Sequence, residues 1–441
     1  MSTKEKAKKG KKVRRFFRNF FLCLLCLIVV VAAATAVVNT VVNKSEKNFV
    51  SDSVKPVEYT EQLVPELDED GYYTFTTDRD FKVLQLTDVH IGSGYMSSKK
   101  DMMALNAVAA MVTAEKPDLV VVTGDIAYPV PFQSGTLNNK FGAGVFADLM
   151  EKLGVYWCAV YGNHDTEAYS YFNRKKISEK VYENREKYPH SLFQSGPEDV
   201  DGYGNYVIKV KNSIGQITQA LFLIDSHSYT DGDYFGIQWK YDAIHENQVK
   251  WYEGVVASLT EENAGIEPKS LAFFHIAPND MSTAFKEYKA AGYKDTENVK
   301  HKYGVIAESN DVICTSQHNF GLVDSFRQHG TKGVFFGHDH LNNISLDYKG
   351  VLLTYGYSID YLAYPGIYKY GVQRGCTVIT VKPDGSFDNR LENYYQDKYQ
   401  SINAKEHVIL DHDMKDDYAS AGSLFSFQTA NQDTDKNKDK E

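Results

Sequence analysis

Phe81-Lys82-Val83-Leu84-Gln85-Leu86-Thr87-Asp88-Val89-His90 decides how this chain is read. A run of mostly apolar residues ends in two metal-binding side chains, two positions apart. The same grammar recurs four times further on. Residues 119–122 lead to Gly124-Asp125, 155–161 to Gly162-Asn163-His164-Asp165, 271–274 to His275, and 334–336 to Gly337-His338-Asp339-His340. Apolar runs of this length, β-branched or aromatic and bounded by Gly, Pro or polar turns, read as central strands of a covered sheet. Open α/β sheets place their sites beyond the carboxyl ends of their strands, so all five fragments are expected to meet along one edge.

Working outward, residues 97–116 carry Met103, Ala107, Ala110 and Met111 at helical spacing before Pro117 restarts a strand. That is a βαβ unit, whose crossover should be right-handed. Residues 141–153 read as a second helix with Gly154 at its C-terminal side. Two such units in series predict an α/β class. Residues 71–77 suggest an edge strand, 169–188 a charged helical insert, 203–224 a hairpin turning near Gly215, and 248–259 a helix. Residues 279–320 give no strong signal. From 334 to 381 short strands recur between Gly turns, which fits a second sheet packed on the first.

Composition separates the two ends of the chain. The 441 residues are 43% hydrophobic and 13% aromatic, ample for a packed core. Residues 1–18 hold nine Lys or Arg and one Glu; with the whole chain at −10 and this segment at +8, residues 19–441 stand at −18. So acidic a body argues against nucleic acid held on a broad basic face. Residues 20–38 are apolar apart from Thr35, and 19 helical residues at ~1.5 Å each approach the ~30 Å hydrocarbon core. The expected organisation is a basic cytoplasmic segment (1–18), a transmembrane anchor or signal peptide (19–42), a linker (43–70), a catalytic domain (71–427) and a disordered tail (428–441). Ala34-Thr35-Ala36 keeps a cleaved signal open, in which case the body is secreted instead of anchored. Either way it lies outside the cytoplasm. Cys23 and Cys26 fall in the apolar run, and Cys158, Cys314 and Cys376 make no disulfide framework.

As a set, Asp88-x-His90, Gly124-Asp125, Gly162-Asn163-His164-Asp165, His275 and Gly337-His338-x-His340 resemble the signature of the calcineurin-like metallophosphoesterases. The resemblance covers residues 80–381. Phe273-Phe274-His275-Ile276-Ala277-Pro278 and the stretch from Tyr241 to Trp251 look like the branch allied to purple acid phosphatases. It implies a two-sheet α/β/β/α sandwich, the metallophosphatase fold, and a dinuclear centre. One metal would take Asp88, His90, Asp125 and His340; the other Asp125, Asn163, His275 and His338. His164 would face the substrate as a catalytic residue, with Asp165 or a more distant acid orienting it, and Asn163 would also touch the phosphoryl group. His227, following another strand, is a further substrate-binding candidate.

The chemistry suits these residue types. Phosphoesters resist hydrolysis because their oxygens repel nucleophiles, and two dications ~3.5–4 Å apart neutralise that charge and activate water. Nitrogen and oxygen donors without thiolate fit Mn, Fe, Zn or Co. Tyr128, in Asp125-Ile126-Ala127-Tyr128, matches the iron-binding tyrosine of true purple acid phosphatases, but His90 competes for the same position and is the preferred ligand. The expected activity is a metal-dependent phosphohydrolase acting on a phosphorylated small molecule or cell-envelope substrate. A phosphodiesterase, a nucleotide pyrophosphatase and a catalytically silent phosphate-binding ectodomain are the alternatives.

Overall fold

The computed structural model describes residues 3–364 and 374–405, with side chains from residue 12 onward. The expected tail at 428–441 lies outside the described residues.

The chain opens with one long helix, α1 (Thr3–Ser53), followed by β1 (Glu66–Leu67), β2 (Tyr73–Thr76) and β3 (Phe81–Leu86). Two α/β units come next: α2 (Ser98–Glu115), β4 (Leu119–Thr123), α3 (Asn139–Leu153) and β5 (Trp157–Val160). A short helical insert, α4 (Arg174–Ile177), continues as one π-turn over Ser178–Tyr182. The hairpin β6 (Tyr206–Lys211) and β7 (Ile217–Leu223) precedes α5 (Glu246–Glu262) and β8 (Lys269–Phe273). The segment 279–320, silent in sequence, contains α6 (Asn279–Ala290) and β9 (Val299–Tyr303). The remainder is α7 (Leu322–Gln328), β10 (Thr331–Phe336), β11 (Ser345–Tyr348), β12 (Val351–Tyr355), β13 (Gly375–Val381) and β14 (Phe387–Asn393).

Among the described residues the strands form two sheets, ordered β1-β2-β6-β7-β8-β10-β12-β11-β9 and β14-β13-β3-β4-β5. The division differs from expectation. β10, β11 and β12 lie in the second sheet as expected, but β8 joins them there instead of extending the sheet of β3, β4 and β5, and β13 joins that first sheet, antiparallel to β3. Alternation explains why the runs looked fully apolar. Leu271, Phe273 and Phe335 face the core between the sheets, while Ala272, Phe274, Val334 and Phe336 face the core under α5, α6 and α7. A strand covered on both faces has no polar side. A parallel bridge between Thr87 and Ser358 brings the carboxyl ends of β3 and β12 together, so both sheets open toward one edge.

Helix α1 departs from the expected organisation at its far end. It runs through the first part of the stretch read as linker, because Asn39, Asn43, Glu46, Val50 and Val54 form a buried stripe at helical spacing. Upstream, its apolar window is long enough to cross a membrane and none of it is buried in the protein. The five cysteines are free thiols.

Candidate metal centre

Each motif sits where its strand ends, and the backbone there is unusual. Asp88, His90, Asp125 and His338 adopt φ of 51°, 53°, 53° and 77°, a left-handed conformation costly for non-glycine residues and typical of functional loops. Gly162 is required by proximity: a Cβ there would lie 2.1 Å from Asp125 Oδ1. Gly124, at φ +90°, would put one 2.6 Å from His275 Nδ1. The glycines in the Gly-Asp and Gly-Asn-His motifs thus let neighbouring strand ends close on one point.

That point is the Asp125 carboxylate. It is fully buried, and its Oδ2 lies 3.2 Å from Nε2 of both His90 and His275. Its Oδ1 accepts a hydrogen bond from the His164 backbone N–H at 2.8 Å. On one side, ligand atoms of Asp88, His90, Asp125 and His340 all fall within 4.8 Å of one another. On the other, His275 Nε2 lies 3.0 Å from Asn163 Oδ1, and the His338 ring meets that of His275 edge-on, centroids 5.1 Å apart. His275 Nδ1 donates to the Thr123 carbonyl at 2.8 Å, which turns its Nε2 toward Asp125. His338 Nε2 is buried without a hydrogen-bond partner.

Electrostatics follow from this packing. Burial opposes every charge, yet His275 and His164 hold Asp125 well below the usual carboxylate range, and His340 lowers Asp88. Against the same burial, Asp125 raises His275 to about 9. His338 goes the other way. Burial and then the charge of His275 push it well down, leaving a neutral imidazole with a free lone pair. An orphaned nitrogen, a shared carboxylate and an all nitrogen-and-oxygen donor set fit a pair of hard or borderline cations.

Two residues not singled out in the sequence support these donors. Asp360 is fully buried, with Oδ1 3.2 Å from His90 Nδ1 and Oδ2 3.2 Å from His340 Nδ1. One carboxylate therefore hydrogen-bonds the His340 ring and stands against the His90 ring, whose Nδ1 makes no hydrogen bond, close to the carboxylate–histidine–metal arrangement. Its signal was faint: an acid five positions beyond β12, with no local motif. Glu167 is the second. Its Oε1 lies 2.7 Å from His164 Nδ1 and also accepts from the Tyr229 hydroxyl at 3.2 Å.

Asp165 does not orient His164, because its two oxygens accept backbone N–H groups of Asp125, Ala127 and Gly162 at 2.8–2.9 Å. It ties two loops together; burial and then Asp125 push its pKa up to about 6. His227 is likewise placed apart from the cluster, its Nε2 on Gln248 at 2.8 Å and its ring stacked on His245. Tyr229 and Tyr241 take its place: the Tyr229 hydroxyl accepts from Asn163 Nδ2 at 3.0 Å, and the Tyr241 ring meets His338 at 4.3 Å. Tyr128 stacks on His90 at 4.4 Å, but its hydroxyl donates to Gln133 at 2.6 Å and burial raises its pKa, so it is a neutral phenol. Asp339 is bonded by Tyr355, Asn342 and the Cys314 N–H, and ligand atoms of Asp339, Cys314 and His338 lie within 4.8 Å of one another beside the centre.

An α/β sandwich with this donor set at the shared edge of two sheets defines a phosphoesterase with metal-binding residues at its centre. A family model described as Calcineurin-like phosphoesterase matches residues 81–342, and the chain belongs to that family. Relatives include Probable inactive purple acid phosphatase 14 of Arabidopsis thaliana, 31% identical over 66% of this chain and 73% of that protein. Phosphatase DCR2 of Saccharomyces cerevisiae is 30% identical over 66% of this chain and 48% of its own length. A solved dimetal phosphatase from Danio rerio aligns over 72% of this chain and 98% of its own, at 14% identity and a TM-score of 0.46.

Proposed function

We propose that the chain hydrolyses phosphoesters at a dinuclear centre, with Asp88, His90, Asp125 and His340 holding one cation and Asp125, Asn163, His275 and His338 the other. The observation that carries this is the Asp125 oxygen equidistant, at 3.2 Å, from Nε2 of His90 and His275. When bound, two cations would neutralise the phosphoryl oxygens and lower the pKa of water. Asp88, Asp125 and Asp360 balance part of that charge and leave the centre net positive, the sign a phosphoester needs.

His164 supplies the proton. Its side chain is 25% exposed, whereas those of His90 and His275 are closed off, and Glu167 engages its Nδ1. Nε2 is then free to protonate the leaving oxygen. Asn163, whose Nδ2 donates to Tyr229, would offer its amide oxygen to the second cation and so border the substrate. The plant relatives are named probable inactive phosphatases; all seven proposed donors are present in this chain. Mn, Fe and Zn all suit this donor set.

The same reading puts the body outside the cytoplasm, anchored by α1, and is supported by the nine basic residues of the first 18, which favour the inner side. The test is metal analysis of the full chain together with hydrolysis of nitrophenyl phosphate and bis-nitrophenyl phosphate, which also separates monoesterase from diesterase. Stoichiometric metal and turnover, both lost in Asp125→Asn, are expected. A metal-free, inactive full chain after loading with Mn, Fe and Zn would sink the assignment.

A further inference from the structure

Helix α1 enters the domain at the edge where the metal ligands gather. Asn39 donates to the Gly135 carbonyl at 2.9 Å and accepts from the Tyr95 N–H at 2.9 Å. One turn on, Asn43 donates to Ser93 Oγ at 2.9 Å; Lys47 then pairs with Asp148, and Val57 N–H reaches the Leu153 carbonyl. Asn43 also reaches the Phe141 carbonyl at 3.4 Å, so the contacts with α3 advance from Phe141 through Asp148 to Leu153 and the two helices run in the same direction. Since α3 begins at the carboxyl edge of the strands, α1 must come in from outside that edge.

No spacer separates the apolar run from this docking point. Residues 20–38 would cross the hydrocarbon core at ~1.5 Å each, and Asn39 is the first buried side chain. The loops at the site edge consequently face the bilayer surface, and they are dressed for it. Phe132 is 89% exposed, Ile237 80%, Trp239 75% and Tyr171 63%. Aromatic and apolar loop tips as exposed as these suit the membrane interface.

The same loops carry the site. Phe132 lies four residues beyond Tyr128, which stacks on His90; Ile237 and Trp239 sit on the excursion between Tyr229 and Tyr241, which touch Asn163 and His338. A cleft of about 380 Å³ joins Thr35 and Ala36 of the apolar helix to Tyr95, Pro131, Leu137 and Tyr171. It is open at the level where the headgroups would lie.

We infer that the site-bearing edge rests on the bilayer and that the phosphoester taken by the enzyme is borne by a lipid of the same leaflet. This rests on the hydrolase reading given above. The step is simple hydrolysis: water adds to phosphorus, the P–O bond to the lipid breaks, the lipid leaves as an alcohol carrying the proton from His164, and phosphate departs.

The full chain, metal-loaded and reconstituted in phosphatidylcholine vesicles, tests both halves. Trp157 is buried and Trp251 lies on α5, so brominated lipids should quench fluorescence from Trp239, and Trp239→Phe should abolish that quenching. Phosphatidic acid or a polyprenyl monophosphate in the vesicle should be hydrolysed. Phe132→Ser with Ile237→Ser should reduce that turnover by about 10-fold or more, while nitrophenyl phosphate hydrolysis changes by less than about 2-fold. Equal quenching with and without Trp239 overturns the docking. Turnover of nitrophenyl phosphate with neither lipid cleaved overturns the substrate class. If no ester is cleaved while Trp239 is still quenched, the hydrolase reading fails and the lipid substrate with it, and the docking stands.

Discussion

On the proposed reading, side chains in the centre divide into those that would hold cations and those that aim or protonate, and two substitutions tell them apart. His164→Ala should leave metal content unchanged and lower kcat by about 10²- to 10⁴-fold, the range for a lost general acid. Metal analysis beside steady-state kinetics checks this. Asp360→Asn should do the opposite. An amide can accept from only one of the two ring N–H groups that Asp360 now faces, so one imidazole loses its aim. Metal affinity should fall about 10- to 100-fold in a competition titration, while His164 chemistry persists in saturating metal. The convergence of these seven side chains was legible in sequence because each follows an apolar run that fixes its place at a sheet edge. Asp360 and Glu167 were not, since what gives them meaning is the imidazole across from them, contributed by a distant part of the chain.

Among the elements, α1 is the least like its sequence. Residues 43–53 look like linker because Asn43, Glu46 and Lys47 are polar, and only the partner surface reveals that Asn39, Asn43 and Glu46 lie on one buried stripe. Glu46 is held by Ser93 Oγ at 2.5 Å, and burial first, then the charge of Asp101, push its pKa from 4.5 to about 9. The folded chain therefore keeps a proton there that the unfolded chain has already released. The resulting stabilisation is complete below about pH 4.5 and is lost as pH rises toward about 9. Thermal midpoints measured across that window should decline more steeply in the native protein than in Glu46→Gln, which carries no titrating group. The sheets show the same limit of local reading. β13 reads as part of a second sheet, yet pairs with β3 from Val381 opposite Phe81 to Thr377 opposite Gln85. Strand identity is local; strand partnership is not.

For the molecule as a whole, the centre should act as a clasp between the two sheets, since Asp88, His90, Asp125 and Asn163 follow strands of one and His275, His338 and His340 follow strands of the other. Chelation should lower stability by roughly 4 kcal/mol when free metal had stood a thousandfold above Kd. Calorimetry with and without chelator measures it; an unchanged midpoint would mean that the donors are held together by the protein alone.

The run of α1 beside α3 has a practical corollary for anyone wishing to handle this enzyme free of detergent. Trimming the chain at residue 45 discards Asn39 and Asn43 and leaves Ser93, three positions beyond His90, with Glu46 alone of its two α1 partners. A shortened protein should start no later than Val38, or its weakened cation binding will be mistaken for a property of the native enzyme.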